Sequence, residues 1–142
     1  MFGIRGEIQV SLSIEELAGR YHQAWTDLDV DAIVALHTED SVFHIHGVTD
    51  AATGRVSIRQ AIAALLGLVP DLHFDAKRAY LGAGHLVLEY EMSGTAGGSP
   101  FTCDGADVIA VQDGLVARKD TYLDLAAYQR QAGAIPLLAT GV

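Results

Sequence analysis

The amino-acid sequence predicts an α+β domain, with helices in the first half and antiparallel strands in the second. Three observations predict it. Most apolar residues before residue 70 recur at helical spacing; from residue 72 the period changes to two; and glycine-containing turn signals separate the later runs. Early helices and late strands argue for helices packed on one face of a curved, mostly antiparallel sheet.

The first helix is announced by Ser13 and Glu16, three positions apart, the spacing of a capping box. Ile14, Leu17, Ala18, Tyr21, Ala24, Trp25 and Leu28 then share one side, and Glu15, Arg20, Gln23 and Asp27 the other. "DLDVDAIVALH" reads as a short second helix with Ile33, Val34 and Leu36 inward, ended by "TED". "SVFHIH" reads as the first strand and "GVTDAATG" as a loop. Ser57 and Gln60 repeat the capping-box spacing and open a third helix, with Ile58, Ala61, Ile62 and Leu65 buried and Gly67 and Pro70 as its stop.

The strands follow. "LHFDAKRAYL" and "HLVLEYEMSG" flank Gly82-Ala83-Gly84, a hairpin turn by its glycines. In the second of these, Glu89 and Glu91 share the solvated face, and Leu88, Tyr90 and Met92 the buried one. "GTAGGSP" reads as a glycine-rich loop. "FTCDGADVIAVQ" and "LVARKDTYLD" flank Asp113-Gly114, a strong hairpin signal. Asp124 is the expected N-cap of a closing helix, "LAAYQRQAG".

A chain of 142 residues suits one domain, 1–142, with a core over about 13–133 and a tail at each end. Half the residues are apolar and 19% are charged, a globular composition. The net charge of −9 repels phosphate backbones, so no nucleic-acid partner is expected. The single cysteine, Cys103, excludes an internal disulfide framework and a cysteine-rich zinc site. "MFGIRGEIQVSLS" lacks the continuous apolar core of a signal peptide, and no run approaches the roughly 20 apolar residues that span a bilayer. The expectation is a cytoplasmic protein without a membrane partner.

Chemistry starts with His44 and His46. Two positions apart in a strand, they point the same way together with Val42, while Phe43 and Ile45 take the other face. If the histidines face the interior they form a proton-transfer pair; if Phe43 and Ile45 do, the histidines are polar residues on a wet face. A metal is the third reading, since "HIHGVTD" resembles the start of a cupin metal site. A cupin would need a further histidine, with His73 or His85 as candidates, and cupins are all-β barrels, whereas here two helices precede the pair. No metal and no cofactor are therefore expected.

A wider resemblance covers about residues 13–133. "RYHQAWTDLDVDAIVALHTEDSVF" resembles the opening of the nuclear-transport-factor-2-like superfamily, which includes ketosteroid isomerases, limonene epoxide hydrolases and SnoaL-like polyketide cyclases. "GADVIAVQDGLVARKDTYLD" resembles its last hairpin, and "TYLD" followed by "LAAYQRQAG" looks most like the SnoaL-like branch. The resemblance implies a cone-shaped α+β barrel: a bent sheet around the N-terminal helices, with a mostly apolar pocket at the open end. It implies a hydrophobic small molecule as partner and a homodimer formed through the sheet. If the chain is an enzyme, the resemblance implies isomerase- or cyclase-like acid–base chemistry without a cofactor, on a cyclic or aromatic carbonyl compound. The alternative is a non-catalytic ligand-binding or scaffold member.

The same resemblance assigns candidate residues. Tyr21 matches an oxyanion-hole tyrosine of ketosteroid isomerases, and Asp107 matches their second donor, an aspartic acid held neutral by apolar surroundings. His44 or His46 would move the proton. Trp25, Tyr90, Lys119 and Tyr122 are the expected ligand-lining residues. The last strand offers two mixed faces, Leu115, Ala117, Lys119, Thr121 and Leu123 against Val116, Arg118, Asp120 and Tyr122, and either could be inward. Three departures stand out. Ile45 matches the isomerase base, Gly105 replaces the epoxide hydrolases' arginine, and Ala96 replaces the histidine of the cyclases' "GTH".

Overall fold

The computed structural model describes residues 11–133. Both tails, 1–10 and 134–142, and with them most of the segment weighed as a signal peptide, lie outside the described residues. The order is α1 (Ile14–Thr26), α2 (Val30–Ala35), β1 (His37–Ile45), β2 (Ala52–Thr53), α3 (Arg55–Leu68), β3 (His73–Leu81), β4 (His85–Ala96), β5 (Ser99–Gln112), β6 (Leu115–Leu123) and α4 (Leu125–Ala132). The strands form one sheet in the order β2-β1-β6-β5-β4-β3. All neighbours are antiparallel except β1 and β6, which run parallel.

The expected α+β architecture is present, and local chemistry explains most element ends. Ser13 and Glu16 make both bonds of the capping box: Glu16 N–H donates to Ser13 Oγ at 3.1 Å, and Ser13 N–H to Glu16 Oε1 at 2.9 Å. Asp124 caps α4, accepting from the Ala127 N–H at 3.1 Å. Asp113 and Gly114 both have positive φ, 55° and 75°, as a two-residue hairpin turn requires. Gly97 and Gly98, at 57° and 85°, make another such turn, so the expected loop 94–100 is instead a tight hairpin continuing β4 into β5.

Three other expectations are corrected. β1 begins at His37, not Ser41, because residues 37–40 leave the helix and join the sheet; His37 pairs with Val116. Residues 52–53, expected in a loop, pair with Val42 and Phe43 as the edge strand β2. α3 starts at Arg55 after Gly54, so Ser57 lies inside its first turn and makes no capping box.

The core lies between the inner sheet face and the helices. Leu17, Tyr21, Ala24 and Trp25 of α1 belong to one core cluster with Ile58 and Ile62 of α3 and the inward residues of β1, β4, β5 and β6. A bulge between Ala110/Val111 on β5 and Arg118/Val116 on β6 skips Ala117. It reverses the alternation of β6, so Val116 is buried on one side of it and Lys119 and Thr121 on the other. Glu89 and Glu91 stand on the outer face of β4, with Tyr90 and Met92 buried.

Candidate functional site

Register brings the polar groups of the interior together. On β5, Asp107 pairs with Leu88 of β4 and Thr121 of β6; Tyr90 of β4 is opposite Gly105; Lys119 is opposite Ile109. The alternation on each strand points Tyr90, Asp107, Lys119 and Thr121 inward. Asp107, Lys119 and Thr121 are each only 5% exposed. Tyr90 O–H donates to Asp107 Oδ1 at 2.9 Å, and Thr121 Oγ1–H donates to the same oxygen at 2.7 Å. Lys119 Nζ stands 3.5 Å from Asp107 Oδ2.

The ammonium of Lys119 also faces three rings, with Nζ 4.3 Å from the Trp25 centroid, 4.8 Å from Tyr21 and 5.0 Å from Phe43. Ring quadrupoles attract such a cation when water is excluded. Burial alone would pull the lysine pKa down, but the Asp107 carboxylate and Tyr21 outweigh it and hold it above the ordinary lysine value. Burial raises the Tyr90 phenol, and the adjacent Asp107 charge raises it further. Burial raises Tyr21 as well, partly offset by Lys119.

Behind Tyr21 stands a histidine that sequence reasoning missed. Tyr21 Oη lies 2.9 Å from His37 Nε2, and His37 Nδ1 lies 2.9 Å from Ser41 Oγ. The ring is 1% exposed. Burial, then the charges of Lys119 and Arg55, lower the His37 pKa to about 3. The imidazole is therefore neutral near pH 7, with one nitrogen donating and the other accepting. Arg55 holds the strand start by donating from Nε and Nη2 to the His37 carbonyl. No pattern in the sequence marks His37, which sits where the helix reading ended.

The hollow has two chambers. One, of about 200 Å³, is apolar, walled by residues including Phe43, Ile45, Phe101 and Tyr128. The other, of about 230 Å³, is bounded by α1, β3 and β4 and reaches Asp107 and Tyr21. Trp25, Phe74, Tyr90 and Lys119 belong to both walls. Edge-to-face contacts run Trp25–Phe74 at 5.5 Å and Phe74–Tyr90 at 5.2 Å, so this aromatic row divides the chambers. Trp25 Nε1 is buried without a hydrogen-bond partner among the described residues.

The sequence candidates therefore divide. Tyr21, Trp25, Tyr90, Asp107 and Lys119 come together. His44, His46 and Tyr122 do not. Around the pair, Phe43 and Ile45 are the residues of β1 that are buried, and the two histidines stand half-buried on the outer face. There His46 Nε2 lies 2.8 Å from Asp120 Oδ1, and Tyr122 stacks on the His46 ring. The apolar side chains won the interior, as burial energetics favours. Asp107 is buried as expected, but it accepts from two hydroxyls and faces an ammonium, so it is not placed as the neutral donor the resemblance implied. Ile45 lines the hollow at the position matched to the isomerase base, and so brings no base from β1. Gly105 leaves room for Tyr90: a Cβ there would lie 2.6 Å from the phenol ring.

The fold agrees with what comparison finds. A family model for the SnoaL-like domain matches residues 18–119, and the chain belongs to that family. A hypothetical protein with a ketosteroid isomerase-like fold from Catenulispora acidiphila DSM 44928, solved in complex with trimethylamine, superposes with a TM-score of 0.78. The match is at 22% identity over 85% of this chain and 95% of that one. TerC, co-crystallised with polyporic acid, gives 0.73 at 15% identity over 82% and 95%. SalBIII, an epoxide hydrolase/cyclase-like enzyme of pyran ring formation in salinomycin, gives 0.70 at 16% over 80% and 92%. At these identities the likeness shows the fold alone. No curated protein sequence matches the chain.

Proposed function

We propose that the chain binds a hydrophobic cyclic or aromatic carbonyl compound in the hollow and acts on it by acid–base chemistry without a cofactor. Enolisation, isomerisation, aldol-type cyclisation and hydration are the reactions of that class. The observation that carries the reading is the Asp107–Lys119 pair, beside aromatic rings, with Lys119 on the wall of both chambers and Asp107 on that of the second. A developing enolate oxygen needs donors held in a site with little water. The Lys119 ammonium and the Tyr21 phenol fill that role, with His37 and Ser41 orienting the phenol. Asp107 is the proton acceptor, and the unpaired Trp25 N–H gains a partner from a ligand oxygen. Each chamber is smaller than the roughly 300–1,000 Å³ of common ligand sites, so a one-ring ligand fits one chamber and a multi-ring ligand displaces Phe74.

The test is deuterium exchange at the α-carbon of a panel of cyclic ketones and phenol-ketones, followed by NMR in D₂O. The expected result is exchange above the buffer rate, slowed at least about 100-fold in Asp107→Asn and in Lys119→Met. Binding of the panel without exchange, unchanged by either substitution, overturns the catalytic reading. One observation favours the second reading, a non-catalytic ligand binder or scaffold: Asp107 already has three partners, so the pair is complete without a substrate. Under either reading the chain is a cytoplasmic homodimer joined through the outer sheet face over β3 and β4, where Tyr80 is 54% exposed. Sedimentation of Tyr80→Glu against the unsubstituted protein tests the pairing.

A further inference from the structure

We propose that His44, His46 and Asp120 form a binding site for a divalent transition-metal ion of the zinc class, on the outer face of the sheet and separate from the hollow. The three come from two parallel strands. His44 and His46 share one face of β1 by their spacing, and the register of β1 on β6 sets Asp120 directly beside His44. One ligand atom from each of the three lies within 4.8 Å of the others. Two imidazoles and a carboxylate suit first-row divalent ions, with the remaining positions open to water.

The details point to ligation rather than chance proximity. His44 Nε2 lies 3.0 Å from the Thr49 carbonyl oxygen, so that nitrogen carries the proton and Nδ1 is left as a free donor of electrons. A second nitrogen tied to a backbone carbonyl is the usual arrangement of a metal-bound histidine. His46 Nε2 and Asp120 Oδ1 stand 2.8 Å apart. Bonds of about 2.1 Å meeting at the tetrahedral angle require about 3.4 Å between ligand atoms, so this pair opens by about 0.6 Å to take the ion. The His46 ring contacts His44 at 3.9 Å and Tyr122 at 4.3 Å between centroids, which holds its orientation.

Arg118 is the competing cation. It donates from Nε to Asp120 Oδ2 at 2.8 Å and from Nη2 to Oδ1 at 3.1 Å. Its side chain is 49% exposed, free to swing into solvent when an ion takes Oδ1. A cupin site would take its third histidine from a later strand. The structure supplies a carboxylate 74 positions away instead.

The test is calorimetric titration of the tag-free protein with zinc chloride, with the visible absorption of added cobalt(II) as a second readout. One equivalent is expected to bind, with magnesium giving no signal. His44→Ala and His46→Ala each weaken binding about 100-fold or more, while Arg118→Gln tightens it by removing the competitor. Thermal melts of the metal-free variants check that these half-exposed sites leave the fold intact. Absence of saturable zinc binding overturns the proposal. So does binding that survives both histidine substitutions, which puts the ion on His22, His73 or His85, and so does unchanged or weaker binding in Arg118→Gln.

Discussion

Replacing Lys119 by methionine keeps the length of the side chain and removes its charge. Asp107 would then remain 5% exposed with only Tyr90 and Thr121 as donors. Removing one partner of a buried ion pair costs about 3–5 kcal/mol, and the two remaining hydrogen bonds put this case near the lower end, about 3 kcal/mol. Asp107→Asn should cost about as much, because it strands the ammonium among rings. The double variant carries no buried charge and should cost less than the sum of the singles by at least about 2 kcal/mol. Urea unfolding followed by Trp25 fluorescence reads this directly, since Trp25 is the single tryptophan and its ring lies 4.3 Å from Lys119 Nζ. With a slope of about 1–3 kcal/mol/M, a loss of 3 kcal/mol moves the midpoint by roughly 1–3 M. Single losses below about 1 kcal/mol that add in the double variant would refute the reasoning, because they would mean a pair screened by water.

His37 makes stability depend on pH in a defined window. Its folded pKa, about 3, lies below the unfolded value of about 6.5, so the unfolded chain takes the proton first. Stability from this group is complete above pH about 6.5 and falls as pH drops toward 3, by about 3 kcal/mol at pH 4. Urea midpoints measured from pH 7 to 4 should lose that slope in His37→Gln. Gly105→Ala drives a methyl into the Tyr90 ring and the Leu123 side chain and should cost about 1–3 kcal/mol in thermal unfolding, with Tyr90 displaced from Asp107. Ser13→Ala removes the acceptor for the Glu16 N–H and should cost about 1 kcal/mol by the same melt, leaving the hollow's ligand affinity unchanged.

What the sequence revealed follows from where local chemistry decides. The capping box at Ser13, the Asp124 cap and the Asp113-Gly114 turn depend on neighbours in the chain, and all three are present. The sheet faces were harder. On β5 residues 101, 103, 107 and 109 are buried in regular alternation, in agreement with the inward place that the resemblance gave Asp107. On β6 the bulge at Ala117 breaks the period, so neither face read as apolar and Lys119 stayed ambiguous until pairing with β5 fixed it. His37 was invisible because it lies between helix and strand periods and is buried only through contacts with Tyr21 and Ser41. The outer cluster was half legible: the spacing of His44 and His46 gave their shared face, but Asp120 joins them only through parallel pairing, which no local pattern encodes.

The central claim is that the two-chambered hollow receives a carbonyl ligand at the Asp107–Lys119 pair. A crystal structure after soaking with a cyclic-ketone and phenol panel tests it most directly. The account predicts a ligand ring against the Trp25–Phe74–Tyr90 row, with its oxygen about 2.6–3.2 Å from Lys119 Nζ or Tyr21 Oη. Ligands bound only outside the hollow, with both chambers unchanged, would contradict it.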